Sequence, residues 1–362
     1  MEQTKSVKTL SHLLRVAVGA EQANCRDAEG VSWQSVYALA RKQGVLAIAF
    51  DGLTKLFEQD KEFAKSFPQS LKLQWINAVF NIEQRYERQR GVCAELANKW
   101  AEQGISTLCL KGLAFSTYYP ISNHRECGDF DCYLYDDYSK GNAIAKELGA
   151  KVDDGWYKHS EMIYRKVMIE NHRYIVAVRN SKKVKKLHNL LDNIARNEER
   201  KPIFDTKIEM PSAMFNALFM THHSLTHFLA EGIRLRHILD WALFLEKEQD
   251  NMDWERFYAL CDEFGMRAFV DCTTAIAVKV CGIELINKQI TVNSTHAERV
   301  LSSIISGDEP IFSQNIGAWR RRILLVRNLF SSKWKYMAFA NQGVFAKFVS
   351  LVWGYFTHPE ED

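Results

Sequence analysis

Six prolines in 362 residues leave little room for elaborate loops, so the chain is expected to run mostly in long helices. No internal repeat, low-complexity tract or Gly/Ser linker interrupts it. Long apolar runs are missing too: Phe348 to Phe356 is only about half of what crossing a bilayer requires. The first residues, Met1-Glu-Gln-Thr-Lys, carry no apolar h-region, so no secretory signal is expected. Eight cysteines occur without C-x-x-C pairing and read as small core residues in a reducing compartment. Together these absences predict a cytoplasmic protein. A net charge of +3 argues against a strong polyanion binder. What is present is 47% hydrophobic and 12% aromatic content, enough for a sizeable core and incompatible with global disorder.

Three regions differ in character. Residues 1–105 read as helical, with apolar positions at helical spacing from Trp33 to Leu53, Ser32 as N-cap, and a long amphipathic helix from Leu71 to Gln103. Residues 106–200 carry strand-like runs at Thr107–Leu110, Phe130–Tyr135, Val152–Tyr157, Ser160–Arg165 and Val167–Val178. One helix, Tyr138 to Leu148, lies among them, with Gly149 at its C-cap. Residues 201–362 return to helix through Trp254–Phe264, Arg267–Cys281 and Ala318–Phe330 to about Tyr355. A weak linker is expected at Asn197–Pro211. Two basic stretches stand out, Lys182–Lys186 and Arg320–Arg322 with Arg327, Lys333 and Lys335, the latter interleaved with Trp319 and Trp334. Both read more simply as solvated helix faces than as a phosphate-backbone track.

The most informative stretch is Arg125-Glu-Cys-Gly128-Asp129-Phe-Asp131-Cys-Tyr-Leu-Tyr135. On a strand, side chains at i and i+2 share a face, so the Asp129 and Asp131 carboxylates would converge. Adjacent carboxylates raise each other's pKa unless a cation neutralises them, and a hard divalent ion suits such a pair. Read alone, D-x-D also fits a strand end with two solvated acids. Upstream, the apolar run Thr107–Leu110 stops at Lys111-Gly112, before a short helical stretch and Tyr119-Pro120. Glycine there would let the backbone approach a phosphate, the helix would offer N–H groups, and Lys111 would add a charge.

With these residues the chain resembles the nucleotidyltransferase superfamily, and more narrowly the bacterial family of uncharacterised nucleotidyltransferases. The pattern L-K-G, Tyr-Pro, R-x-x-G-D-[IF]-D is met by Leu110 to Gly112, Tyr119-Pro120, Arg125, Gly128, Asp129 and Asp131. The resemblance implies a third carboxylate on a later strand, where a V-E-x-H-like position fits Glu170 and His172. By period 2, Glu170 and His172 share a face with Met168 and Tyr174. An edge strand with Glu170 in water is the alternative. A second block, Met220 to Ala242, resembles the family's helical H-x-x-x-H-F…G-I-x-L-R-x-x-x-D segment. Its His223 and His227 stand one helical turn apart, as do Arg236 and Asp240, whose spacing suits a salt bridge. The histidine spacing also suits zinc, but Ser224 stands where a metalloprotease helix would need Glu. The favoured reading is a polar seam packing the helices on the sheet, with nucleotide contact by His223, His227 or Arg236 second.

The resemblance therefore implies an α+β fold: a small mixed β-sheet nucleotidyltransferase core flanked by N-terminal and C-terminal helical regions. It implies an enzyme moving a nucleoside monophosphate from an NTP to a hydroxyl acceptor, with Mg²⁺ or Mn²⁺ on Asp129, Asp131 and Glu170. Lys111, Gly112, Arg125 and Gly128 would contact the nucleotide, joined by His172. The first turn departs from the wider superfamily, where Gly-Ser or Gly-Gly is common. A catalytically silent nucleotide-binding protein and an RNA-modifying enzyme using the basic stretches are the alternatives. Nucleic acid is the less favoured acceptor.

Overall fold

The computed structural model of the chain describes residues 2–178, 181–307 and 332–340. The N-terminal helices are α1 (Glu2–Val18), α2 (Trp33–Gln43), α3 (Leu46–Gln59), α4 (Lys61–Ser66) and the long α5 (Gln69–Glu102). The Ser32 hydroxyl accepts from the Ser35 amide to start α2, and Gly44, at φ 67°, ends it in the left-handed region. Helix α5 buries a stripe that includes Trp75 and Trp100. Each indole keeps a hydrogen bond, to the carbonyls of Leu46 and Gly141, so its burial leaves no polar group stranded. Burial of such a side chain stabilises by roughly 1.5–3 kcal/mol.

The middle of the chain runs β1 (Thr107–Cys109), α6 (Leu113–Ser116), β2 (Phe130–Tyr133), α7 (Tyr138–Glu147), β3 (Lys151–Asp153), β4 (His159–Tyr164) and β5 (Val167–His172). Then come α8 (Lys182–Asn197), β6 (Lys201–Pro202) and β7 (Ile208–Met210). The strands form one seven-stranded mixed sheet, order β3-β4-β5-β2-β1-β7-β6. The β2–β5 and β1–β7 pairs are parallel and the others antiparallel. Helices α9 (Ala213–Ala230), α10 (Leu235–Glu248), α11 (Trp254–Phe264), α12 (Arg267–Cys281), α13 (Ala297–Ser306) and α14 (Lys333–Phe339) follow. The α+β class expected from the sequence is the one observed. No helix among the described residues is long and apolar enough to cross a membrane.

Several boundaries differ from the sequence reading, each for a local reason. The run at Val152–Tyr157 leaves the sheet after Asp153, whose carboxylate accepts from the Gly155 amide and turns the chain. The run towards Val178 stops at His172, because the Arg173 and Tyr174 amides both donate to the Lys158 carbonyl. Tyr174 is thus off the strand. The expected linker Asn197–Pro211 holds β6 and β7, and β7 pairs with β1, so the sheet extends past the boundary drawn at residue 200. Strands of two and three residues are too short to show a period of 2.

Helix α8 carries Lys182–Lys186, of which Lys186 pairs with Glu263. Lys335 corrects the expectation of a solvated basic face: it is buried, its Nζ donates to the Phe228 carbonyl at 3.0 Å, and burial pulls its pKa down to about 8. Arg320–Arg322, Arg327, Trp319 and the runs Ala318–Phe330 and Phe348–Phe356 lie outside the described residues. All eight cysteines are free, and seven are buried.

The two faces of the sheet differ. Phe130, Cys132, Met162 and Ile169 are fully buried on the face that α5 and α7 cover. There Asn171 donates to the Tyr138 carbonyl and to Asn142, pinning α7 to β5. The opposite face carries the ionisable residues.

Candidate active site

Asp131 lies within β2 and Asp129 just before it, two residues apart. Beside β2 runs β5, in parallel register with Asp131 opposite Glu170. Beyond it, β4 places Glu161 opposite Glu170 and His159 opposite His172. One oxygen each from Asp129, Asp131 and Glu170 lies within 4.8 Å of the others.

Lys111, at the end of β1, reaches across to these acids. Its Nζ is 3.1 Å from Asp131 Oδ1 and 3.5 Å from Asp129 Oδ2. Next to it Gly112 adopts φ 62°, ψ −107°, a conformation that only glycine takes without strain. A Cβ there would stand 3.4 Å from the Asp129 carbonyl oxygen. The following α6 is a single turn whose four residues are all buried, so its main work is packing.

The charges respond to burial and to each other. Burial pushes Asp131 up, but Lys111 and His172 outweigh it and hold Asp131 well below the usual carboxylate range. Asp129 moves the other way, raised by burial and by Asp131, so it is the member of the pair that takes a proton first. Glu170 is lowered: burial opposes ionisation, and the bond with His172 more than compensates. Burial disfavours charge on Lys111 as well, yet the three carboxylates raise its pKa. His172 lies 3.1 Å from Asp131 Oδ1 and 3.3 Å from Glu170 Oε2 through Nε2.

Asp131 Oδ2 is buried with no hydrogen-bond partner. A buried carboxylate oxygen without a partner is costly, and an oxygen-lined cluster with such an orphan fits a hard divalent cation. The three carboxylates could therefore hold a divalent metal ion.

The loop that delivers Asp129 is bolted from three directions. Arg125 is buried and forks onto Asp240 of α10, Nε to Oδ1 at 2.9 Å and Nη2 to Oδ2 at 2.8 Å, while Tyr119 donates to the same carboxylate at 2.8 Å. Arg236 Nη1 donates to the Glu126 carbonyl at 2.6 Å. Gln89 of α5 donates to the Gly128 carbonyl at 3.1 Å. His124 bridges Asp51 of α3 and Glu83 of α5 at 2.9 Å each. Arg236 and Asp240 thus do not salt-bridge each other one turn apart; each reaches the loop. Arg125, which also lines the neighbouring cleft, is paired on both forks with Asp240.

A cleft opens beside the acids, lined by Lys111, Gly112, Gly128, Asp129, His223 and Arg236 among others. Arg236 keeps one buried donor, Nε, without a partner. His223 packs against His227 at 4.3 Å between ring centroids, and His237 lies 6.3 Å from His223. His227 is held by Glu231 at 2.6 Å. Burial keeps His223 neutral far below its usual range and brings His237 to about 3. These three rings do not form a ligand-spaced cluster among the described residues.

A family model described as uncharacterised nucleotidyltransferase matches residues 29–282, more than half of the chain. The chain belongs to this nucleotidyltransferase family. No curated protein and no solved structure matches it. The family match spans helices α2 to α12 and the sheet, and so includes α3, α5 and α10, whose side chains hold the loop at His124–Gly128.

Three neighbours of the site escaped the sequence reading. His159 on β4 has a buried Nδ1 with no hydrogen-bond partner, facing Glu170 Oε2 at 3.8 Å. Lys158, whose pKa burial lowers, stands in the field of Asp131 and Glu170. Gln89 lies on a helix that reads only as amphipathic. For His159 a signal existed: the turn at Arg165-Lys166 joins β4 to β5, and counting back from Tyr164 opposite Val167 puts His159 opposite His172.

Proposed function

We propose that this nucleotidyltransferase moves a nucleoside monophosphate from an NTP to a hydroxyl acceptor, with Mg²⁺ or Mn²⁺ held by Asp129, Asp131 and Glu170. The observation that carries the reading is the convergence of three carboxylates from two adjacent parallel strands, one of them with an unpartnered buried oxygen. A divalent ion bound there supplies charge neutralisation and orientation for the phosphates.

The chain's own groups supply the rest. Lys111, now paired with both aspartates, is the nearest cation for a phosphate entering beside Gly112. Arg236 presents its unpartnered Nε along the same cleft. Glu170 is ionised at neutral pH and can accept the proton of an acceptor hydroxyl. His172, between Asp131 and Glu170, fixes the orientation of both carboxylates. Arg125, Gln89 and His124 act at one remove by fixing the loop. His223 and His237, neutral and set into the cleft wall, favour an uncharged part of a substrate over a phosphate at that end.

Incubation with NTPs labelled at the α or the γ phosphate, in the presence of a cell extract as acceptor source, tests the reaction type. Transfer of the α label with release of pyrophosphate is expected, and Asp131→Asn should abolish it. Transfer of the γ label instead would show a kinase-like reaction and refute the reading.

A further inference from the structure

On the β4 side of Glu170 lies a second donor set that shares only Glu170 with the proposed Mg²⁺ site. His159 of β4 and Glu170 and His172 of β5 offer one ligand atom each, all within 4.8 Å of one another. His172 Nε2 is 3.3 Å from Glu170 Oε2, and His159 Nδ1 is 3.8 Å from the same oxygen. With metal–nitrogen bonds of about 2.0–2.1 Å, a tetrahedral site has donor–donor edges of roughly 3.3–3.4 Å, close to the first spacing and a small side-chain adjustment from the second.

Two details fit these donors to a cation. His159 Nδ1 is buried and lacks any hydrogen-bond partner. The other nitrogen of His172, Nδ1, sits 3.3 Å from the Tyr174 carbonyl. Nε2 bonds Asp131 Oδ1 at 3.1 Å and Glu170 Oε2 at 3.3 Å when it carries the proton; with the proton on Nδ1, facing the Tyr174 carbonyl, Nε2 is free to ligate a cation, the arrangement by which a second-shell carbonyl orients a metal-bound imidazole. The ring of His159 is in turn stacked on Trp156, 6.5 Å between centroids and 17° between planes.

We infer that His159, Glu170 and His172 form a second cation site, sharing Glu170 with the oxygen-lined one and taking a borderline first-row divalent ion of the Mn²⁺ to Zn²⁺ series. Two imidazoles and one carboxylate prefer such an ion, whereas an all-oxygen set suits Mg²⁺. The chain would then distinguish two ions by donor chemistry on one sheet face. The inference goes beyond the proposed activity and stands on His159, which that activity does not need.

Co²⁺ serves as the probe, titrated into the full chain in the presence of millimolar Mg²⁺ and followed by visible d–d absorption and by tryptophan fluorescence. Wild type should bind one Co²⁺ with an imidazole-ligated spectrum that Mg²⁺ does not displace. His159→Ala should weaken that binding at least about tenfold, the lower bound set by changes one shell further out. Asp129→Asn should leave it intact while removing Mg²⁺-dependent NTP binding, so failure of one assignment is separable from failure of the other. Equal Co²⁺ binding by wild type and His159→Ala, full displacement by Mg²⁺, or no Co²⁺ binding by wild type would each overturn the second site.

Discussion

Asp240→Ala tests how the site is held. Asp240 accepts three hydrogen bonds, two from Arg125 at 2.9 and 2.8 Å and one from Tyr119 at 2.8 Å, and both charged partners are buried. Removing it leaves the Arg125 guanidinium buried without a counter-charge, a change that costs about 3–5 kcal/mol. That is a large part of a stability of roughly 5–15 kcal/mol. At about 2–4 °C per kcal/mol for domains of this size, the melting temperature should fall by roughly 6–20 °C. Arg125→Met combined with Asp240→Leu should recover much of the loss, because no orphan charge remains. The pH dependence has a definite sign. Asp240 is lowered in the fold: burial raises it, and Arg125 outweighs burial. Its contribution is therefore complete above the unfolded carboxylate value of about 3.9 and disappears as pH falls through the lower folded value. The stability gap between wild type and Asp240→Ala should be widest near neutrality and close in acid. Thermal melts across pH measure it. A loss below about 1 kcal/mol at pH 7, the scale of an exposed pair, would refute the claim that this pair bolts the Asp129 loop.

Glu170→Gln should cut turnover by roughly 10²–10⁴-fold with a much smaller effect on NTP affinity, as separate kcat and binding measurements would show. Gly112→Ala should destabilise the chain by roughly 1 kcal/mol or more, since φ 62° with ψ −107° is strained for any L side chain, and urea titration reads it. Lys111→Met removes the cation that offsets Asp129 and Asp131. Asp129 is already raised in the fold by burial and Asp131, so its ionisation penalty appears as pH rises through that raised value. The variant should thus melt lower than wild type at neutral pH, less so in acid, and added Mg²⁺ should restore it.

How much of this was legible in the sequence varies by element. The spacing of Asp129 and Asp131 and the isolated acid at Glu170 needed only period 2 and a motif. Their meeting needed the parallel β2–β5 register, a long-range pairing that no local pattern encodes. The β4–β5 turn hid for a different reason. Arg165 and Lys166 both adopt positive φ, 47° and 67°, where Asn-Gly is the usual signal, so the hairpin was not announced and His159 was missed. The pairing of Arg125 with Asp240 was not legible because Asp240 lies more than a hundred residues away, on a helix whose own spacing suggested a bond to Arg236. The basic side chain Lys335 read as solvated for a similar reason: its acceptor, the Phe228 carbonyl, belongs to another helix.

The central claim, that Asp129, Asp131 and Glu170 form a divalent-ion site that engages an NTP, is tested most directly by calorimetry with a non-hydrolysable NTP analogue. Wild type should bind the analogue only with Mg²⁺ or Mn²⁺ present, and Asp131→Asn should abolish that metal-dependent heat while keeping the fold by circular dichroism. Equal binding without any divalent ion, or unchanged metal-dependent affinity in Asp131→Asn, would contradict the account.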